Sequence, residues 1–129
     1  MVATTKDVCQ ALRTGRTIDI TTIGRRSGRP SRIETWFHNV NGEIYLTGSP
    51  GKRDWYANLV HTPAFTFHVK EGVTADLAGQ ATPITDSVER RAIFEQILPR
   101  IGHSNKIEVW MTSSPLMRVA LDVDCPDLA

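Results

Sequence analysis

The chain has 129 residues, 40% apolar and 22% charged, the balance of an ordinary globular protein long enough to bury a core without staples. No stretch approaches the roughly 20 consecutive apolar residues that span a bilayer as a helix. Lys6, Asp7, Gln10 and Arg13 interrupt the apolar run that a secretory leader needs, so the expected compartment is the cytoplasm and the expected organisation is one domain over residues 1–129. The net charge of +1 conceals an asymmetry: residues 1–32 hold seven Lys/Arg against two acids, whereas residues 71–129 hold five against nine. Positive charge confined to one segment suits a compact anionic ligand, and it argues against nucleic acid, which favours a broadly basic domain. Cys9 and Cys125 belong to no C-x-x-C spacing and are expected to be two unpaired thiols.

In chain order, residues 5–14 are expected to form a short helix, with Thr4 or Thr5 capping its start, Val8 and Leu12 on one face and Gly15 at its end. Residues 17–23 alternate as a strand, residues 31–40 as a second, and Asn41-Gly42 marks a tight hairpin into a third over 43–47. Asp54 is expected to cap a helix bearing Trp55, Tyr56, Leu59 and Val60, which stops before Pro63. Residues 64–69 and 73–82 follow as strands. A helix opened by Thr85 or Asp86 buries Val88, Ile93, Phe94, Ile97 and Leu98, and residues 116–122 form the last strand. Short, hairpin-linked strands with two or three flanking helices predict an α+β fold, a small antiparallel split β-barrel.

The segment Thr21-Thr22-Ile23-Gly24-Arg25-Arg26-Ser27-Gly28-Arg29-Pro30-Ser31-Arg32 concentrates the chemistry. Arginine presents a planar fork of donors suited to phosphate or carboxylate, and glycine lets the backbone turn its N–H groups inward around an anion. The segment therefore reads as the binding site of an anionic tail, although four arginines in one turn are more often a solvated loop. The four histidines lack metal-ligand spacing. His38 and His68 sit in predicted strands, as exposed or singly hydrogen-bonded rings or, alternatively, facing a common pocket. No G-x-S-x-G element or carboxylate pair supports hydrolytic chemistry, and no catalytic residue stands out.

The same Arg/Gly segment, followed by Gly48-Ser49-Pro50-Gly51, Trp55-Tyr56-Ala57-Asn58-Leu59 and Thr62-Pro63, resembles the deazaflavin-dependent nitroreductase family of the flavin/deazaflavin oxidoreductase split-barrel superfamily. The resemblance implies a split barrel that binds coenzyme F420. It assigns Arg25, Arg26, Ser27, Gly28 and Arg32 to the phosphate and nearby carboxylates, Lys52 and Arg53 to the tail, and Ser49 in the same loop to the cofactor. Trp55 and Asn58 would line or support the cofactor groove, and Glu34, Thr35 and Trp36 would face the ring. A reduced deazaflavin carries the hydride itself, so the protein needs only to bind, orient and exclude water. The implied reaction is reduction of an electron-poor small molecule such as a quinone, enone or nitro compound. The chain departs from the family pattern at Thr35-Trp36-Phe37 and in a shorter Ser49–Asp54 loop, which keeps FMN as the alternative ligand. The alternative function is a binding, storage or sensing protein for FMN, a tetrapyrrole or another anionic metabolite. Small barrels of this kind often pair, and a homodimer would cover an exposed sheet edge.

Overall fold

A computed structural model describes residues 3–129. Its strands, β1 (Thr17–Ile23), β2 (Pro30–Val40), β3 (Glu43–Thr47), β4 (Ala64–Val69), β5 (Ala75–Pro83) and β6 (Leu116–Leu121), are all antiparallel and close into a barrel in the order β1-β2-β3-β6-β5-β4. Closure follows from the alternation read in the sequence. Ile18 and Ile20 of β1 point inward to meet Phe67 of β4, and Leu46 and Met117 face the same interior; all five are at most 1% exposed. The hairpin between β2 and β3 turns on Asn41 and Gly42, both with positive φ, and the Asn39 side chain accepts the Gly42 N–H at 2.9 Å. Every strand has two neighbours in the barrel, but Pro30–Trp36 of β2 pairs with β1 alone and leaves its other side unpaired.

Four α-helices surround the barrel, α1 (Thr5–Thr14), α2 (Asp54–His61), α3 (Ser87–Ile97) and α4 (Ile107–Ser113). A reciprocal Thr4–Asp7 capping box starts α1, as its sequence allows. Val8, Leu12, Trp55 and Leu59 of α1 and α2 join the barrel core. A second core lies outside, where Ile93, Phe94, Ile97 and Trp110 of α3 and α4 pack on Val40, Tyr45 and Leu116.

Several sequence expectations are corrected. Asp54 is the first residue of α2 rather than its cap; Arg53 holds the cap position without a side-chain bond. Val88 is 77% exposed, because the apolar stripe of α3 begins at Ile93 and the turn before it presents Arg90 to the protein. Helix α4 had no predicted counterpart. Cys9 and Cys125 are joined in a disulfide, not free. Strand β6 returns the chain's end to α1, so two cysteines 116 residues apart in sequence are neighbours in space.

Candidate functional site

The Arg/Gly turn between β1 and β2 spends most of its backbone on itself. Gly24 N–H donates to Arg29 O at 2.8 Å, Gly28 N–H to Gly24 O at 2.9 Å, and Arg29 N–H to Ser27 Oγ at 3.1 Å. Gly28 adopts φ of 69°, which a side chain would strain. The anion-binding ring of N–H groups anticipated here is thus largely occupied by the turn's own acceptors. Arg26, Ser27 and Gly28 stand exposed at the tip, outside the clefts described below.

Arg25 points the other way. Its N–H and its Nη1 both donate to Asn58 Oδ1, at 3.1 and 3.0 Å, and its Nη2 lies 3.3 Å from Asp54 Oδ1. Asn58 is buried and donates in turn to Thr22 Oγ1 at 3.3 Å. The Trp55–Asn58 element therefore supports the site from behind. Asn58 locks α2 to the turn, and Trp55 is 6% exposed within the barrel core.

Arg32 and Glu34 lie on the barrel's outer wall. Arg32 Nε donates to Asp19 Oδ2 at 3.0 Å, while Lys70 bridges Asp19 Oδ1 at 2.8 Å and Glu34. The hydrogen bond from Lys70, then that from Arg32, hold the Asp19 carboxyl below its ordinary pKa, and Asp19 and Glu34 raise that of Lys70. These charges neutralise one another and are separate from the clefts. His68 is on this wall too, with Nε2 2.7 Å from Thr21 Oγ1 and Nδ1 2.7 Å from Asp76 Oδ1, so it shares no pocket with His38.

The remaining predicted residues gather at two cavities on either side of the loop from β3 to α2. The larger, of about 830 Å³, takes Arg25, Lys52 and Arg53 and adds Arg90 and Ser114 from α3 and the end of α4. Asp54 supplies the one carboxylate in its wall. Gly51 N–H donates to Ser113 O at 2.9 Å, and Arg53 folds its guanidinium onto Ser49 O at 2.8 Å, so the short loop is pinned at both ends.

Arg90 went unnoticed in the sequence. It reaches Ile84 O at 2.9 Å, Ser114 O at 2.8 Å and the carbonyls of Trp110 and Met111 at 3.2 and 3.0 Å, with its guanidinium over the Phe94 ring. A signal was available, since an arginine occupied a position of the apolar stripe set by Ile93, Phe94 and Ile97. Dipoles rather than a carboxylate hold this cation, and burial lowers its pKa. Its positive charge is therefore left uncancelled beside the cleft.

The smaller cavity, of about 380 Å³, joins the predicted Thr35, Trp36 and Ser49 to His38, His103 and Trp110. Trp36 is 47% exposed, and His103 stacks on Trp110 with ring centres 5.8 Å apart. His38 is buried with no protein partner for its ring nitrogens among the described residues; burial, reinforced by Arg100 and Arg16, lowers its pKa to about 4. As pH falls, the unfolded chain takes up this proton first, near pH 6.5. Stability is thus intact above about pH 6.5 and is lost between there and pH 4, by about 3 kcal/mol for a shift of this size. Urea unfolding of the wild type and His38→Gln across that range checks this: the gap between the two curves should change by that amount, and parallel curves would refute it.

A closed antiparallel barrel of six strands, flanked by helices that frame a cationic and an aromatic cleft, defines a split β-barrel of the flavin and deazaflavin oxidoreductase type. The chain belongs to the F420H(2)-dependent quinone reductase family, whose model matches residues 2–109. It is accordingly an oxidoreductase that uses coenzyme F420. The fold is shared with a candidate pyridoxamine 5′-phosphate oxidase from Listeria innocua at TM-score 0.69 and 12% identity, covering 92% of this chain and 93% of that one. It is shared also with an FAD-binding protein from Mesorhizobium loti (TM-score 0.64, 13% identity, 93% and 89% covered) and with an F420 reductase (TM-score 0.64, 16% identity, 88% and 92% covered). Comparison with curated protein sequences gives no match.

The residues present fit the cofactor. An anionic tail needs cations without matching acids, and the large cleft supplies four against Asp54 alone. In its wall the Ser114 hydroxyl is buried without a hydrogen-bond partner among the described residues, a polar atom left over from the protein's own bonding.

Proposed function

We propose that the large cleft holds the phosphate and acidic tail of F420, and that the aromatic cleft receives its ring together with a planar, electron-poor acceptor: a quinone, an enone or a nitro compound. The observation that carries this reading is the β3–α2 loop. Its Gly48 and Ser49 line the aromatic cleft and its Gly51, Lys52, Arg53 and Asp54 line the cationic one, so one short pinned segment borders both ends of an elongated cofactor. Reduced F420, when bound, supplies the hydride. Lys52 and Arg25 offer charge to the tail, Arg53 and Gly51 hold the loop in shape, and Trp36 and Trp110 provide apolar surface that keeps water from the reacting face. His38 stays neutral at physiological pH and presents an imidazole N–H for a carbonyl oxygen. The cytoplasm is the compartment we propose.

A fluorescence titration with F420, run beside FMN, tests the reading. Lys52→Ala with Arg53→Ala should weaken F420 about tenfold, about 1.4 kcal/mol, with a shallower salt dependence than the wild type. Wild-type affinity no better than millimolar for F420 would remove the proposal, and preference for FMN would replace its cofactor.

A further inference from the structure

We infer that the acceptor reduced in the aromatic cleft carries an acidic substituent, seated by Arg16 and Arg100. This rests on the placement of the acceptor proposed above. A third cavity, of about 220 Å³, is lined by Arg13, Arg16 and Arg100 and shares Trp36, His38 and Ile101 with the aromatic cleft, so the two adjoin. No Asp or Glu side chain lines it. None of the three guanidiniums forms an ion pair among the described residues.

Their partners are main-chain oxygens. Arg13 Nη1 donates to Asp127 O at 3.3 Å and Arg100 Nη1 to Asn39 O at 2.6 Å, while the Arg16 side chain makes no hydrogen bond among the described residues. Between the two cavities stands His38, 9% exposed and without a hydrogen-bond partner among the described residues. Three like charges around a small cavity repel one another, and an oxyanion between them turns that repulsion into attraction. Guanidinium forks suit a carboxylate or a sulfonate in two-bond contact.

A planar ring lying against Trp36 with its acid group toward Arg16 and Arg100 occupies both cavities at once. In the reaction a quinone ring takes up the hydride that reduced F420 supplies and one proton from water, giving the hydroquinone, and the acid group is unchanged. Arg16 and Arg100 are thus specificity-determining residues that do not touch the reacting atoms.

The test compares 1,2-naphthoquinone-4-sulfonate with 1,2-naphthoquinone as acceptors for the wild type, Arg16→Gln, Arg100→Gln and the double variant. The double variant should raise KM for the sulfonate by 10- to 100-fold with kcat nearly unchanged, and leave the neutral quinone and the F420 dissociation constant as they were. Arg16→Gln alone should give a part of that rise, and its side chain has no protein bond to lose, so it stands in should the Arg100 variants fail to fold. Added salt should raise KM for the sulfonate only. Equal losses on both quinones, or no change on either, would overturn the inference. A weaker F420 affinity with acceptor KM unchanged would also overturn it, by giving these arginines to the cofactor's own carboxylates. Failure of the wild type to bind F420 would be seen in the titration alone, and would take down the proposed placement and this inference together.

Discussion

Replacing Arg90 with Met is expected to cost about 3 kcal/mol of stability and to weaken F420 binding about tenfold. The guanidinium ties the carbonyls of Trp110, Met111 and Ser114, at the end of α4, to Ile84 at the end of β5. Hydrogen bonds from a charged donor contribute roughly 1.5–3 kcal/mol each when fully buried, and partial exposure of Arg90 reduces that, so about 3 kcal/mol is expected for the set. Methionine fills similar volume against Phe94 without donating. The loss of binding follows from the positive charge that methionine removes from the wall of the large cleft. Arg90→Lys separates the two contributions: it keeps the charge beside the cleft but lacks the fork, so affinity should be largely retained while stability falls. Chemical unfolding and F420 titration of both variants measure this. A methionine variant as stable as the wild type would show that the carbonyls need no clamp.

The second large effect is expected from the disulfide. Joining residues 116 apart removes loop-closure entropy from the unfolded chain, an effect of about 5 kcal/mol for a loop of this length. Cys9→Ser with Cys125→Ser, or reduction of the wild type, should therefore lower Tm by roughly 15–20 °C. The barrel should survive, since its ladder is closed independently of the bond. Thiol titration in denaturant should find no free thiols before reduction and two after. Two free thiols in the untreated protein would refute the pairing. In a reducing cytoplasm this stabilisation depends on the bond resisting the thiol pool, so the ratio of oxidised to reduced protein in cells bears directly on the proposed compartment.

The strands were legible because burial on alternate positions leaves a period-two trace, clear in Thr17–Ile23 and Phe65–Val69, and because Asn41-Gly42 fits one kind of turn. Helix α4 left no such trace. Only Trp110 among its seven residues is fully buried, so Ile107, Val109 and Met111 formed no stripe to read. The cysteine pairing depends on where β6 delivers the chain's end, which local pattern does not encode.

The site was legible in part. Arg25, Lys52 and Arg53, then Thr35, Trp36 and Ser49, do assemble into two clefts. The resemblance assigns Arg26, Ser27 and Gly28 to the phosphate, yet the turn uses the Gly24, Gly28 and Arg29 N–H groups internally and leaves these three residues at its tip. The resemblance assigns Arg32 and Glu34 to the cofactor, but strand alternation sends them to the outer wall with Asp19 and Lys70. Arg90, Arg16 and Arg100 come from distant segments, and only the folded chain brings them to the cavities.

Closure of the barrel separates what must stay constant from what is free to change. Every strand is hydrogen-bonded to two neighbouring strands, so a shift in one strand is felt by both. The wall of the cationic cleft is instead drawn largely from the β3–α2 loop, α2 and the end of α4, which contribute nothing to the ladder, whereas Thr35, Trp36, His38 and Thr47 of the strands line the aromatic cleft. Related chains can therefore diverge in how they hold the cofactor tail by exchanging a loop or a short helix while inheriting the same scaffold.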